Sequence, residues 1–216
     1  MIKIKGAIFD VDGTILDSMG VWLKVTGDFF RDNTIAISYD ELLSYQSMSF
    51  EESLVGIQRD YLPHMDTQAM FEDFKRRAAH EYIYNIPPKD GVCEYIKKLH
   101  KDGIKLAVAT SGFPELVKKS LTRIGVYDCF CAFSYSAEVG CSKSNPDIYL
   151  LSAKRLGLEP KDCTVYEDIL TGIESAKAAG FCTVAIKDAT NAADTDRLIQ
   201  HSDRYITGWA ELLSNK

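Results

Sequence analysis

The stretch Lys5-Gly-Ala-Ile-Phe-Asp10-Val-Asp12-Gly-Thr14 constrains this chain more than any other. An apolar run that continues Ile2 and Ile4 ends abruptly in two acids one residue apart, and then in a glycine. Near-continuous apolar residues of this kind form a strand buried on both faces, as in a parallel sheet covered by helices. Two carboxylates at the mouth of such a strand need partners, because a desolvated charge is costly. In open α/β sheets the carboxyl ends of strands are also where ligands bind. A close pair of acids there suits Mg2+, a hard cation that takes oxygen ligands and keeps several waters. A strand running into an Asp-rich turn would look the same in isolation, so the rest of the chain has to decide.

With 216 residues and 46% hydrophobic content, the chain can bury a core of one or two domains. A net charge of -6, with no long basic run, argues against a general affinity for nucleic acid or an anionic membrane. No apolar span is long enough to cross a bilayer, and Met1-Ile-Lys-Ile-Lys reads as the start of the first strand, not as a signal peptide. A cytoplasmic location is therefore expected. The six cysteines form no C-x-x-C pair, and several lie inside or beside apolar runs, where a free thiol acts as a small hydrophobe. His64, His80, His100 and His201 are scattered through polar, helix-like sequence. Chemistry in this chain should rest on carboxylates.

After Asp17-Ser18, a helix N-cap pattern, four helices follow without an intervening strand. Met19, Trp22, Leu23, Val25, Phe29 and Phe30 recur at helical spacing. Tyr39 to Tyr45 follows a Ser38 cap, Ser49 to Tyr61 opens with the capping box Ser49-Phe-Glu-Glu52, and Asp66 to Tyr84 is long and amphipathic. Pro87-Pro88 ends this insert. From Asp90 onward, helices and strands alternate. Strands are expected at Ile104–Ala109, Cys131–Ser134, Cys163–Tyr166 and Phe181–Ile186, and helices at Gly91–Lys101, Phe113–Ile124, Asn145–Leu156 and Thr171–Ala179. The tail should hold helices near Asp194–Gln200 and Thr207–Leu213. Such alternation implies a mostly parallel sheet covered on both faces.

Four strand ends carry polar residues that apolar packing would not select. These are Asp10 and Asp12, then Thr110-Ser111-Gly112 ahead of a helix, then Lys143 in the loop after the third strand, and Glu167-Asp168. Carboxyl ends of parallel strands lie along one edge, so these groups can converge. Acids for a metal, a hydroxyl and helix N-terminal amides for phosphate oxygens, and a lysine to neutralise charge make up the inventory of phosphoryl transfer. Each has a plain structural alternative: a cap for Thr110-Ser111, a solvated lysine for Lys143, a capping acid pair for Glu167-Asp168.

As an ordered set, these motifs resemble the haloacid dehalogenase superfamily, in its phosphatase and β-phosphoglucomutase-like branch with a helical cap. The resemblance implies an α/β fold: a Rossmann-like parallel-sheet core over residues 1–16 and 87–216, with an inserted helical cap domain over 17–86. Asp10-Val-Asp12-Gly-Thr14 is similar to the family's nucleophile motif, in which the first Asp attacks phosphorus and the second is general acid and base. Val-Ala-Thr110-Ser111-Gly is similar to its phosphate-binding motif. Lys143-Ser-Asn-Pro146-Asp147 resembles its lysine motif, with Ser144 in place of the first proline. Glu167-Asp168-Ile-Leu-Thr-Gly172 resembles its acidic metal motif. By this resemblance Mg2+ would be held by Asp10, the Asp12 carbonyl, Glu167 and chiefly Asp168, while Lys143, Thr110 and Ser111 clamp the phosphoryl oxygens. The implied activity is a Mg2+-dependent phosphatase acting on a small phosphomonoester, a sugar phosphate or nucleotide monophosphate, through an aspartyl-phosphate. The expected partner is a small phosphorylated metabolite, with no nucleic acid or membrane, and the protein is expected as a monomer.

Three rival activities differ in the residues they require. A dehalogenase is disfavoured by Asp12. A phosphosugar mutase of the β-phosphoglucomutase type would place a histidine and an arginine where Trp22 and Phe50 stand here, so hydrolysis is preferred. Trp22 and Phe50 are candidate substrate contacts, with packing inside the cap as the alternative. A phosphorylation switch would carry its acid pair and phosphoacceptor on different strands, unlike Asp10 and Asp12.

Overall fold

Gly6–Phe9 is buried at every position, which is why a glycine-led apolar tetrapeptide forms a central strand, β1. The computed structural model describes residues 4–46 and 50–213. Within them, β1 is joined by β2 (Lys105–Thr110), β3 (Ala132–Tyr135), β4 (Cys163–Glu167), β5 (Cys182–Ile186) and β6 (Arg204–Ile206). All pairings are parallel, and the order is β3-β2-β1-β4-β5-β6. The strand order reverses direction between β1 and β4, the crevice where doubly wound sheets take ligands.

The helices in chain order are α1 (Met19–Asp32), α2 (Tyr39–Gln46), α3 (Phe50–Asp60), α4 (Thr67–Tyr84), α5 (Val92–Lys101), α6 (Pro114–Arg123), α7 (Ser136–Val139), α8 (Asp147–Leu156), α9 (Leu170–Ala178), α10 (Thr195–His201) and α11 (Ala210–Leu213). The chain divides into two compact units, Met1–Asp17 with Pro87–Lys216, and Ser18–Ile86.

In the sheet-bearing unit, pleat alternation separates two apolar layers. Phe9 stacks on Tyr166 with centroids 4.5 Å apart, and Trp209 and Tyr95 close over that pair. Tyr95 and Tyr166 share a buried hydroxyl hydrogen bond of 2.7 Å. On the other face Ile8 and Val165 pack with Ile148, Tyr149 and Ala153 of α8 and with Phe181, which follows α9. The helical unit has its own core, Val25, Phe29, Phe30, Tyr45, Leu54, Ile57, Met70 and Phe74. Phe29 and Phe74 meet at 4.5 Å between α1 and α4. Arg77 lies over the Phe29 ring while pairing with Asp32 and Asp73 at 2.7 and 2.9 Å.

The helix ends follow local chemistry at some positions and depart from it at others. Ser38 and Glu41 form a reciprocal capping box, the Ser38 amide donating to Glu41 Oε2 at 3.0 Å and the Glu41 amide to Ser38 Oγ at 3.3 Å. The Ser49–Glu52 box lies outside the described residues. Ser18 precedes α1 but makes no side-chain cap bond, since its backbone is already helical at φ -103°, ψ -12°. α8 begins at Asp147, two residues after the expected Asn145, with Pro146 in the position just before it. Ile4 lies outside β1, and the tail carries the additional strand β6 ahead of a shorter α11.

Candidate active site

Sheet register assembles the site. Phe9 stands opposite Tyr166, and the Asp10 amide donates to the Tyr166 carbonyl at 3.0 Å, so Asp10 and Glu167 leave adjacent strands at one level. Asp10 falls on the pleat face of Ile8, and Glu167 on that of Val165. Both acids are buried, at 3% and 0% exposure. Asp10, Glu167 and Asp168 each offer a carboxylate oxygen within 4.8 Å of the others.

Lys143 reaches this cluster from the loop before α8 and is itself buried. Its ammonium donates to Asp10 Oδ1 and, at 2.8 Å, to Glu167 Oε2. The reading of Lys143 as a solvated lysine is thereby removed. Glu167 accepts on both oxygens: Oε2 from Lys143 and from the Tyr149 hydroxyl at 2.9 Å, and Oε1 from the Asp168 and Ile169 amides at 3.1 and 3.3 Å.

Asp168 is oriented from two sides. Thr14 Oγ1 donates to its Oδ1 at 3.1 Å, and Asn191 Nδ2 donates to its Oδ2 at 3.0 Å and its carbonyl at 2.8 Å. Gly13 makes the close approach possible. Its φ of +79° suits only glycine, and a Cβ there would run into the Asp168 carboxylate.

Asp12 is half-buried beyond β1, and its Oδ2 lies 3.3 Å from where a Cβ on Gly112 would stand. That places its carboxylate beside the Thr110-Ser111-Gly112 turn after β2. Thr110 is buried and its hydroxyl accepts from the Gly112 amide at 3.0 Å. Ser111 is exposed, with its hydroxyl 2.8 Å from that of Ser136. Trp22 belongs to the helical unit and presents its ring to Tyr82 at 6.3 Å. Phe50 opens α3, and its side chain lies outside the described part of the structure.

Known proteins share both the sequence pattern and the fold. The pattern of the haloacid dehalogenase-like hydrolases matches residues 4–180. The chain belongs to the haloacid dehalogenase-like hydrolase family. Hexitol phosphatase A of Escherichia coli (strain K12) is 29% identical over 214 residues, covering 95% of this chain and 94% of its own. Beta-phosphoglucomutase of Bacillus subtilis (strain 168) is 26% identical over 211 residues, with 92% and 90% covered. The crystal structure of CbbY from Rhodobacter sphaeroides in complex with phosphate superposes with a TM-score of 0.84 at 21% identity, covering 97% of this chain and 96% of that one, which shows a shared fold.

In this family member, burial dominates the electrostatics. Burial first, and then the Glu167 charge, raise Asp10 to about 8 against the opposing pull of Lys143. Asp168 is raised well above the carboxylate range by burial, Glu167 and Asp10. Burial works against the Lys143 charge, but Asp10 and Glu167 outweigh it and hold the ammonium more strongly protonated than usual. Three buried acids facing one ammonium carry two uncompensated negative charges when ionised, which a divalent ion would match.

Thr14, Tyr149, Ser175 and Asn191 are site residues that sequence reasoning missed. Tyr149 and Ser175 lie on helix faces that read as core, and Asn191 lies in an irregular turn after β5. The one available signal was Thr14, inside the Asp10–Thr14 motif itself.

Proposed function

We propose that this family member is a Mg2+-dependent phosphatase that hydrolyses a small phosphomonoester through an aspartyl-phosphate on Asp10. The observation that carries the reading is the buried cluster at the β1/β4 switch point, where Lys143 bridges Asp10 and Glu167 beside Asp168. The donor set fits Mg2+: oxygen atoms only, with three closely spaced carboxylates that supply an excess of negative charge. Asp10, Asp168 and the Asp12 carbonyl would hold the ion, with Glu167 beside them. Once bound, it would supply charge neutralisation for the phosphoryl oxygens.

The residues of the chain divide the remaining work. The Asp10 carboxylate attacks phosphorus in line, and the P–O bond to the leaving alcohol breaks. Asp12, near the turn after β2, gives that alkoxide a proton and then takes one from the water that cleaves the acyl phosphate. Lys143, the Thr110 hydroxyl and the Ser111 amide hold the transferring oxygens. The helical unit 18–86 corresponds to the family's cap insert, and Trp22 and Phe50 are its candidate substrate contacts. The relatives named for hexitol phosphate and β-phosphoglucose chemistry favour a phosphorylated sugar or polyol over a nucleotide monophosphate.

The test is phosphate release from a panel of sugar, polyol and nucleoside monophosphates together with p-nitrophenyl phosphate, in Mg2+ and in EDTA. Release that requires Mg2+ and returns on its re-addition is expected. Absence of turnover in Mg2+, or undiminished turnover in EDTA, refutes the reading. Interconversion of glucose phosphates faster than phosphate release would favour the mutase alternative.

A further inference from the structure

Tyr149 is wholly buried, yet carries a hydroxyl that the apolar layer around it does not require. That hydroxyl donates to Glu167 Oε2 at 2.9 Å, on the same oxygen that Lys143 grips at 2.8 Å. The other oxygen is held by two backbone amides. A carboxylate has about four acceptor positions, and all four of this one are taken. Glu167 is therefore confined to one orientation, and Lys143 with it.

Space for the contact is made by α9. A Cβ on Gly172 would come within 2.7 Å of the Tyr149 hydroxyl and 2.8 Å of Glu167 Cγ, so only glycine admits the pair at this spacing. One turn further along, Ser175 Oγ donates to the Lys143 carbonyl at 2.6 Å, holding the lysine backbone while Glu167 holds its head.

We propose that Tyr149 is a positioning residue that sets the Lys143 ammonium by way of Glu167. The inference rests on the assignment of Lys143 to the phosphoryl oxygens given above. The effect of Tyr149 grows along the reaction. As the Asp10 carboxylate forms its bond to phosphorus, it loses the negative charge that holds one side of Lys143. Glu167 then becomes the remaining anionic anchor, and a Glu167 free to rotate would let the ammonium drift when the phosphoryl charge is greatest. The ring of Tyr149 serves the core, meeting Phe181 at 6.3 Å, and the hydroxyl serves the site.

Tyr149→Phe separates the two roles, since it keeps the ring. With p-nitrophenyl phosphate and Mg2+, kcat should fall about tenfold, the scale of removing an outer-sphere partner, with KM moving less than about twofold because the loss is felt in the transition state. The melting temperature should stay close to that of the parent. In a Glu167→Gln background, the same substitution should change kcat by less than about twofold, because the link is already broken. An unchanged kcat for Tyr149→Phe, or an equal loss in both backgrounds, overturns the proposal. Should Glu167→Gln fail to fold, the kcat and KM of Tyr149→Phe decide alone. Failure of the functional assignment looks different: the parent protein itself would then release no phosphate.

Discussion

Asp10→Asn should abolish turnover and, in metal-free buffer, make the protein melt at a higher temperature. From sequence alone the expectation is an unchanged melt, but the burial of Asp10 alters it. Its carboxyl is raised from 3.8 to about 8, first by burial and then by Glu167. Between those values the folded protein keeps a proton that the unfolded chain releases, so this group lowers stability progressively as pH rises. At pH 7 the span is about three pH units, or about 4 kcal/mol at ~1.4 kcal/mol per unit. The substitution also removes the Lys143 hydrogen bond to Asp10 Oδ1 wherever the amide cannot replace it, although Lys143 keeps Glu167 at 2.8 Å. Allowing half the gain for that loss leaves about 2 kcal/mol, which for a chain of this size is about 4–8 °C. Calorimetric melts in EDTA at steps from about pH 5 to about pH 8 should show the gap between the Asp10→Asn variant and its parent widening with pH. Saturating Mg2+, at about a hundredfold over its Kd, should add about 2.7 kcal/mol to the parent alone, enough to close the gap and place the parent slightly above the variant. A gap that is absent, or that shrinks as pH rises, would refute the account of the cluster.

Two further substitutions probe the surroundings. Gly13→Ala places a side chain at φ +79° against the Asp168 carboxylate, so urea unfolding should show a loss of about 1–3 kcal/mol and Mg2+-dependent turnover should fall by about tenfold or more. Parental activity in that variant would contradict the geometry given to Asp168. Asp188 is pushed up by burial but pulled further down by Lys89, at 2.7 Å, and by Thr190, so its folded pKa lies below the ordinary value. Its contribution is therefore present above about pH 4, the unfolded value, and is lost as pH falls through the folded one. Asp188→Asn should cost about 1 kcal/mol at neutral pH and little at about pH 3, and a cost that persists in acid would refute the pairing.

Much of the fold was legible because its signals are local. β1, β2, β4 and β5 are apolar runs bounded by turns, and their burial follows from composition alone. β6 was not legible: Arg204-Tyr-Ile206 is three residues long and becomes a strand only because β5 offers it an edge. Thr207, read as the start of a helix, instead spends its amide and hydroxyl on Glu211 Oε1 at 2.8 and 2.7 Å, ahead of a helix that begins at Ala210.

The site divides along the same line. The kinds of residue at the strand ends, Asp10, Asp12, Thr110, Lys143, Glu167 and Asp168, were written in the sequence, since polar groups at the mouths of apolar strands have no packing reason to be there. Which oxygen meets which proton was decided only by tertiary structure. Parallel register levels Asp10 with Glu167, residues that lie far apart along the chain. Packing of α8 and α9 on the sheet delivers Tyr149 and Ser175, and the turn after β5 delivers Asn191 to Asp168. A hydrogen bond lives within about 3 Å, a length that residue spacing along a chain does not specify, so partners of this kind emerge only once the layers have closed.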